Sequence, residues 1–205
     1  TGEEGFLLWA SPAHLPDLLG SLLGVGEIRG LEVLGYDAVD ILRTEAGRPW
    51  SGRELDASVL PEESGQVARA VSFSKGCYLG QEVVARQHFR GSPRKMLCGL
   101  LPEGAVSEGA GVWEGERQLG VLTTVVDSPT RERTLALAVL KGASHPVETR
   151  YVVRTVDGEV PIRVAALPFL PLRDAAGSGP EDRPGGRPAR RRGDGARRSL
   201  RHPPR

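Results

Sequence analysis

The sequence predicts an α+β protein with helices and loops over residues 1–94, a small β-barrel or sandwich over residues 95–172, and a disordered tail over residues 173–205. Apolar residues recur at helical spacing in the first part, whereas six short apolar or alternating runs follow in the second. The tail has one leucine, five prolines, six glycines and ten arginines. Such a composition buries too little apolar surface to offset the entropy of the chain.

The elements of the first part are justified by helix caps, apolar spacing and breakers. Ser11-Pro12 is typical of a helix start, and a glycine after the last apolar position is typical of a helix end. In order, the pattern predicts a helix from Ser11 to Gly24, a strand over Leu31–Leu34, a helix from Asp37 to Gly47, an extended loop over 48–65, a short extended segment over Val67–Phe73 and a helix from Leu79 to Arg90.

The elements of the second part are strands, because short runs of apolar or alternating residues are separated by turn residues such as Asp157-Gly158. We place the domain boundary at residues 94 and 95, after the glycine and proline that close the last helix. The predicted strands are Met96–Leu101, Val112–Trp113, Leu119–Val126, Leu135–Leu140, Tyr151–Val156 and Ile162–Leu167.

Charge and composition exclude several classes of protein. Residues 1–172 carry 17 Lys and Arg against 22 Asp and Glu, whereas residues 173–205 carry 10 Arg against 4 acids. An acidic body argues against a nucleic-acid-binding core, and only the basic tail leaves that possibility. The tail composition is also that of GC-rich DNA read out of frame, so its charge says little about partners. No apolar run is long enough to span a membrane and no signal peptide is visible, which favours a soluble intracellular protein.

The two cysteines, Cys77 and Cys98, are too few for a disulfide framework, a zinc ribbon or a self-sufficient iron–sulfur site. The four histidines have no ligand spacing, so no metal site is predicted. Cys77 nevertheless stands out, because Lys75 precedes it and a helix is predicted to follow. Both features stabilise a thiolate and would make Cys77 a nucleophile or ligand. The alternative is an inert, packed cysteine.

The neighbours of Cys77 allow two interpretations each. Tyr78 is a candidate cavity residue or an ordinary core aromatic. Gln81 and Glu82 lie in the first turn of the helix, where they also suit capping and the helix dipole. Glu45 lies at the end of its helix, where a carboxylate is unfavourable to the dipole. It is either a site residue or an acid that is solvated or paired with Arg48.

Three segments resemble the YgfZ/GcvT family of folate-binding proteins, in the family's order: Leu42–Pro49, Pro61–Gly65 and the motif Lys75-Gly76-Cys77-Tyr78-Leu79-Gly80-Gln81-Glu82 with the preceding Phe73-Ser74. Segments Gly120–Thr124, Ala136–Ala138 and Leu167–Phe169 resemble its C-terminal barrel. The resemblance covers residues 1 to about 170. It implies the C-terminal part of a folate-binding α+β domain followed by a β-barrel. The front half of the family's fold, with its catalytic aspartate, is largely absent from this sequence, so we expect exposed apolar surface and marginal stability.

The cysteine motif favours the YgfZ branch, which implies a tetrahydrofolate-binding accessory protein for iron–sulfur cluster assembly or repair rather than an enzyme. In that hypothesis Glu45 anchors the pterin through two parallel hydrogen bonds, Lys75 tunes Cys77, and Tyr78 and Gln81 shape the cavity wall. Its partners would be iron–sulfur client or assembly proteins, in the cytoplasm of a bacterium or the mitochondrial matrix of a eukaryote.

Two alternatives stay open. The segment Glu45-Ala46-Gly47 is shared with the aminomethyltransferases of the glycine cleavage system, which implies transfer of a methylene group to tetrahydrofolate. A protein of another class, a non-catalytic module whose barrel docks partners, would fit the same residues.

Overall fold

The computed structural model describes residues 5–170, without the side chain of Ile28. The predicted tail and residues 1–4 lie outside the described part. The helices are α1 (Leu15–Arg29, after a 3-10 turn at Pro12–His14), α2 (Tyr36–Glu45), α3 (Val67–Ala70) and α4 (Gln81–Arg90). The strands are β1 (Lys95–Pro102), β2 (Gly111–Glu114), β3 (Arg117–Ser128), β4 (Arg133–Lys141), β5 (Arg150–Thr155) and β6 (Gly158–Ala165).

The six strands form a closed antiparallel barrel in the order β1-β4-β3-β2-β5-β6. The barrel closes because β6 also pairs with β1, where Gly99 lies opposite Ala165. The fold class and the barrel are therefore confirmed, and the sandwich is excluded. The strand β1 begins at the residue after the predicted domain boundary. The boundary itself stays a prediction.

Alternation along the strands gives the barrel two apolar faces. On β1, Cys98 and Leu100 belong to the cluster that collects residues from all six strands, which is the barrel interior. Leu101 belongs to a second cluster, with Phe169 from the segment after β6. Gly99 allows that segment to lie against β1, because a Cβ there would be 2.7 Å from Leu167 Cδ2 and 2.9 Å from Phe169 Cζ. The outer face of β1 is thereby covered.

The helical part differs from its prediction in three places. The first helix continues through Gly24 to Arg29, because the left-handed residue that ends it is Gly30, with φ 69° and an N–H donated to Gly26 O. The predicted strand over Leu31–Leu34 is irregular. The segment from Val67 begins as the short helix α3 rather than as an extended chain, with the Ala70 N–H donated to Gln66 O at 2.8 Å. The apolar segment there is too short for its spacing to distinguish a helix from a strand.

The other two predicted helices are present, with small shifts in their starts. The cap of α2 is Gly35, and Asp37 lies in its first turn instead. The helix α4 begins at Gln81, after Gly80 with φ 86°. A glycine suits this position, since L-residues rarely adopt such a φ.

The N-terminal segment and α1 expose apolar side chains. Leu15, Leu19, Leu22 and Leu23 are each between 39% and 54% exposed, and Phe6 and Trp9 are more exposed still. The predicted apolar face of α1 therefore exists without cover from the described residues. Within residues 5–170, none of the helices combines the length and the apolar character that crossing a membrane requires.

Candidate functional site

A cavity of about 450 Å³, here cavity A, lies between the loop before α3 and the segment that carries the cysteine motif. Apolar residues form much of its wall, including Leu55, Val59, Val71 and Val84. Gln66, Ser72, Lys75 and Tyr78 add polar groups. A mostly apolar cavity with a few convergent polar groups is the usual form of a small-molecule site.

Two residues of the wall of cavity A each carry a buried polar atom that has no partner among the described residues. These atoms are the hydroxyl of Tyr78 and Oε1 of Gln66, whose amide nitrogen donates to Ser64 O at 3.2 Å. An unsatisfied buried polar group costs about 1–3 kcal/mol, so such groups are rare in native proteins. Both atoms are shielded from the solvent, so a ligand that donates to Gln66 and accepts from Tyr78 would satisfy them once the two side chains turn toward the cavity. Lys75 brings a cation to the same wall, with Nζ 4.9 Å from the Tyr78 ring centroid.

The turn at the start of α4 positions Tyr78. Gln81 donates its backbone N–H to Tyr78 O at 3.2 Å, and its side-chain Oε1 accepts the Tyr78 N–H at 3.4 Å. Gln81 was predicted to shape the cavity wall, but it is not part of the wall of cavity A, and its side-chain oxygen binds the backbone of Tyr78. Glu82 is exposed in the first turn of α4. The motif thus contributes two residues to cavity A, Lys75 and Tyr78.

The two cysteines have opposite environments. Cys77 is exposed and is not part of the wall of cavity A. Cys98 is 6% exposed in the barrel interior, and burial raises the pKa of its thiol to about 12. Both are free thiols. Among the described residues, no three His, Cys, Asp or Glu side chains come together in a group that could hold a metal ion.

Glu45 lies apart from the cysteine motif. It is 5% exposed, and its Oε1 accepts a hydrogen bond from the hydroxyl of Ser128 at the end of β3. The Arg131 N–H donates in turn to Ser128 Oγ at 3.0 Å. Glu45 is therefore neither a solvated acid nor paired with Arg48, which were the alternatives to a site residue in the sequence. Its role as a pterin anchor stays a prediction, since Glu45 is not part of the wall of cavity A.

Sequence reasoning missed a buried ionic network that fixes the loop between α2 and α3. Glu54 is 1% exposed and accepts hydrogen bonds from Thr123 and Thr124 on β3 and from the Trp50 N–H. Arg43 reaches the same carboxylate at 3.1 Å. Arg43 was visible inside a family-like segment, but nothing local to Glu54 in the sequence signals burial.

The chain is similar in sequence to glycine cleavage proteins. Residues 95–170 match the family model described as the glycine cleavage T-protein C-terminal barrel domain. Relatives named aminomethyltransferase include those of Halalkalibacterium halodurans, 31% identical, and Streptomyces coelicolor, 35% identical. Each alignment covers 82% of this chain, and 46% and 47% of the respective relative. The chain thus spans about half the length of the curated relatives that it matches.

A solved structure agrees in fold. The crystal structure of glycine cleavage system aminomethyltransferase T from Bartonella henselae superposes with a TM-score of 0.65 at 24% identity, over 76% of this chain and 43% of that one. The named relatives support the aminomethyltransferase alternative better than the iron–sulfur hypothesis, which stays a proposal. The chain is therefore similar to aminomethyltransferases over about half their length, and residues 95–170 have the fold of the glycine cleavage T-protein C-terminal barrel domain.

Proposed function

We propose that this chain belongs to the tetrahydrofolate-binding machinery of an aminomethyltransferase, in which cavity A holds the pterin. The relatives' names support the reaction class. The location in cavity A is supported by the polar atoms of Tyr78 and Gln66, which have no partner in the part of the chain that the structure describes. In that reaction the carbon of an aminomethyl thioether forms bonds to two folate nitrogens. Ammonia leaves, and the thiol of the lipoyl carrier protein is restored.

The residues of cavity A fit a pterin. Its volume of about 450 Å³ is within the range of small-molecule sites. A pterin ring offers both N–H donors and ring acceptors along its edges. After a rotation of the two side chains toward the cavity, Gln66 Oε1 would accept from one and the Tyr78 hydroxyl would donate to the other. Val71 and Val84 would provide apolar contact for the ring faces. Glu45 is a separate candidate anchor, whose carboxylate would have to release Ser128 to bind a pterin edge.

Calorimetric titration of the chain with tetrahydrofolate tests this proposal. A net hydrogen bond contributes about 1 kcal/mol, so Tyr78→Phe should weaken binding by about fivefold. Gln66→Leu should do the same. Tyr36→Phe is the matched control, because it removes the hydroxyl of a tyrosine that is 81% exposed. If Tyr78→Phe and Tyr36→Phe bind tetrahydrofolate with equal affinity, the pterin does not bind in cavity A.

The two candidate anchors are distinguished by a second pair of variants. If Glu45 holds the pterin, Glu45→Gln weakens binding while Tyr78→Phe does not. Glu63→Gln is the control, since Glu63 is also buried and accepts the Leu60 N–H at 3.0 Å. Absence of folate binding in the folded wild-type chain would favour the third hypothesis, a non-catalytic interaction module.

The exposed thiol of Cys77 supports a second candidate function, the iron–sulfur assembly or repair factor. An accessible cysteine, two residues after a lysine in the sequence, would suit transient binding of a cluster or a persulfide for a client protein. The test uses cells whose only copy of the protein carries Cys77→Ser. Loss of iron–sulfur enzyme activity with normal glycine cleavage would support this function. Normal iron–sulfur enzyme activity together with loss of glycine cleavage in the deletion strain would support the transferase.

A further inference from the structure

A second cavity of about 340 Å³, here cavity B, lies beside the start of β4 and the C-terminal end of β6. Its wall contains three arginines, which are Arg131, Arg133 and Arg163, and a single carboxylate, that of Glu148. Apolar contacts come from Leu101 and Phe169, which are buried. The cavity belongs to the barrel part of the chain and shares no wall residue with cavity A.

The charges of cavity B are only partly compensated. Both oxygens of Glu148 accept from Arg163 Nη1, at 2.5 and 2.6 Å. Arg131 and Arg133 form no ion pair with any residue that the structure describes. Two exposed arginines of the cavity wall therefore have no ion-pair partner in the described part of the chain, although residues 1–172 carry more acids than bases, 22 against 17. A positive concavity on an acidic body concentrates anions locally.

The backbone around these arginines is held in an unusual conformation. Glu132, between Arg131 and Arg133, has φ 52°, and Glu148 has φ 74°. They are the two non-glycine residues with positive φ in the described chain. The Arg131 N–H donates to Ser128 Oγ at 3.0 Å and the Glu148 N–H to Val164 O at 2.9 Å, which fixes both turns. Strained backbone of this kind clusters at ligand sites.

We propose that cavity B binds the oxyanion of a small molecule, a phosphate or a carboxylate group, between the guanidinium groups of Arg131 and Arg133. Planar guanidinium groups bind both kinds of oxyanion through paired hydrogen bonds. Glu148 limits the affinity, because it engages Arg163 and repels an anion. This site is independent of the proposed function, and its test contains no folate.

The experiment is titration of the 205-residue chain, at low ionic strength, with inorganic phosphate and separately with glutarate. Hydrogen bonds to charged groups contribute about 1.5–3 kcal/mol, so Arg131→Gln and Arg133→Gln should each weaken binding about tenfold or more. Arg117→Gln is the control, because it removes an exposed cation from the β2–β3 hairpin and should leave affinity unchanged. Tighter binding of phosphate than of glutarate identifies a phosphate site, and the reverse identifies a carboxylate site.

A variant with tighter binding tests whether misfolding explains the weaker binding of the arginine variants. Glu148→Gln removes the repelling charge and releases Arg163, so it should strengthen binding of either anion severalfold. A damaged fold cannot produce that gain. No binding of either anion by the wild-type chain, or equal losses in Arg117→Gln and Arg131→Gln, would overturn the proposal.

Discussion

Arg43 and Glu54 form a buried ion pair between α2 and the loop that follows it, with Arg43 Nη1 3.1 Å from Glu54 Oε2. Thr124 on β3 joins both partners. It accepts from Arg43 Nη2 at 2.7 Å and donates to Glu54 Oε1 at 2.5 Å. This triad connects the helical part to the barrel. It supports the loop that supplies Leu55 to cavity A.

The first prediction is that Glu54→Gln lowers the free energy of unfolding by about 3 kcal/mol, because it leaves the buried charge of Arg43 with weaker compensation. Urea denaturation of the chain measures this change. The control is Glu108→Gln at the exposed pair with Arg53, where the distance is 2.9 Å. An exposed pair contributes about 0–1 kcal/mol. Equal effects of the two variants would mean that the triad is not a stability determinant.

The second prediction concerns the pH dependence of that stability. Burial alone would raise the pKa of Glu54, but hydrogen bonds from Thr124, the Trp50 N–H and Thr123 and the charge of Arg43 lower it below 4.5. A carboxyl whose pKa is lower in the folded state stabilises the fold above its unfolded pKa and loses that contribution on acidification. The gap in unfolding free energy between wild type and Glu54→Gln should therefore narrow from pH 7 to about pH 3. A constant gap would contradict the lowered pKa.

The barrel could be predicted from sequence because the patterns that identify its strands and turns are local. Alternation along β1 and the turn residues between strands identify each element without knowledge of its partners. The end of α1 could not be predicted, since two glycines were each suited to end the helix. Gly24 stays helical, whereas Gly30 adopts the left-handed conformation that ends the helix. An interior glycine costs only about 1 kcal/mol in a helix, so Gly24 by itself does not end α1.

The candidate site was predicted less completely than the fold, because its contacts join distant residues. Glu45 and Ser128 are 83 residues apart, and Glu54 and Thr124 are 70 residues apart. No local sequence pattern predicts a contact between residues so far apart. Lys75 and Tyr78 of the cysteine motif line cavity A, whereas Lys75 was predicted to tune Cys77, and the roles of both residues stay predictions. The motif could not show that Cys77, between them, is exposed.

The third prediction is that Gly47→Ala destabilises the chain more than Gly52→Ala. Both glycines have positive φ, 63° and 85°, so both substitutions carry a left-handed backbone penalty of about 1–2 kcal/mol. At Gly47 the new Cβ would also lie 3.0 Å from Leu167 Cβ, whereas at Gly52 it would have no atom of the described residues within 4 Å. The difference in Tm between the two variants measures the destabilisation that the steric contact causes. Equal shifts in Tm would show that the segment with Leu167 adjusts freely.

The fourth prediction is that an alkylating reagent labels Cys77 in the native chain and labels Cys98 only after unfolding. The thiolate is the reactive form, and a pKa of about 12 leaves almost none at Cys98 at neutral pH. Burial within the barrel also denies the reagent access to Cys98. Peptide mapping by mass spectrometry, with and without urea, measures both sites.

Single-cysteine variants make the labelling result decisive. Cys77→Ser should abolish native labelling, and Cys98→Ser should leave its rate unchanged. Added tetrahydrofolate extends the same assay to cavity A. Because Cys77 is exposed and does not belong to the cavity wall, a ligand confined to cavity A should leave the labelling rate of Cys77 nearly unchanged. Strong protection would instead place the ligand over the thiol, and would transfer the site from cavity A to the exposed face of the motif.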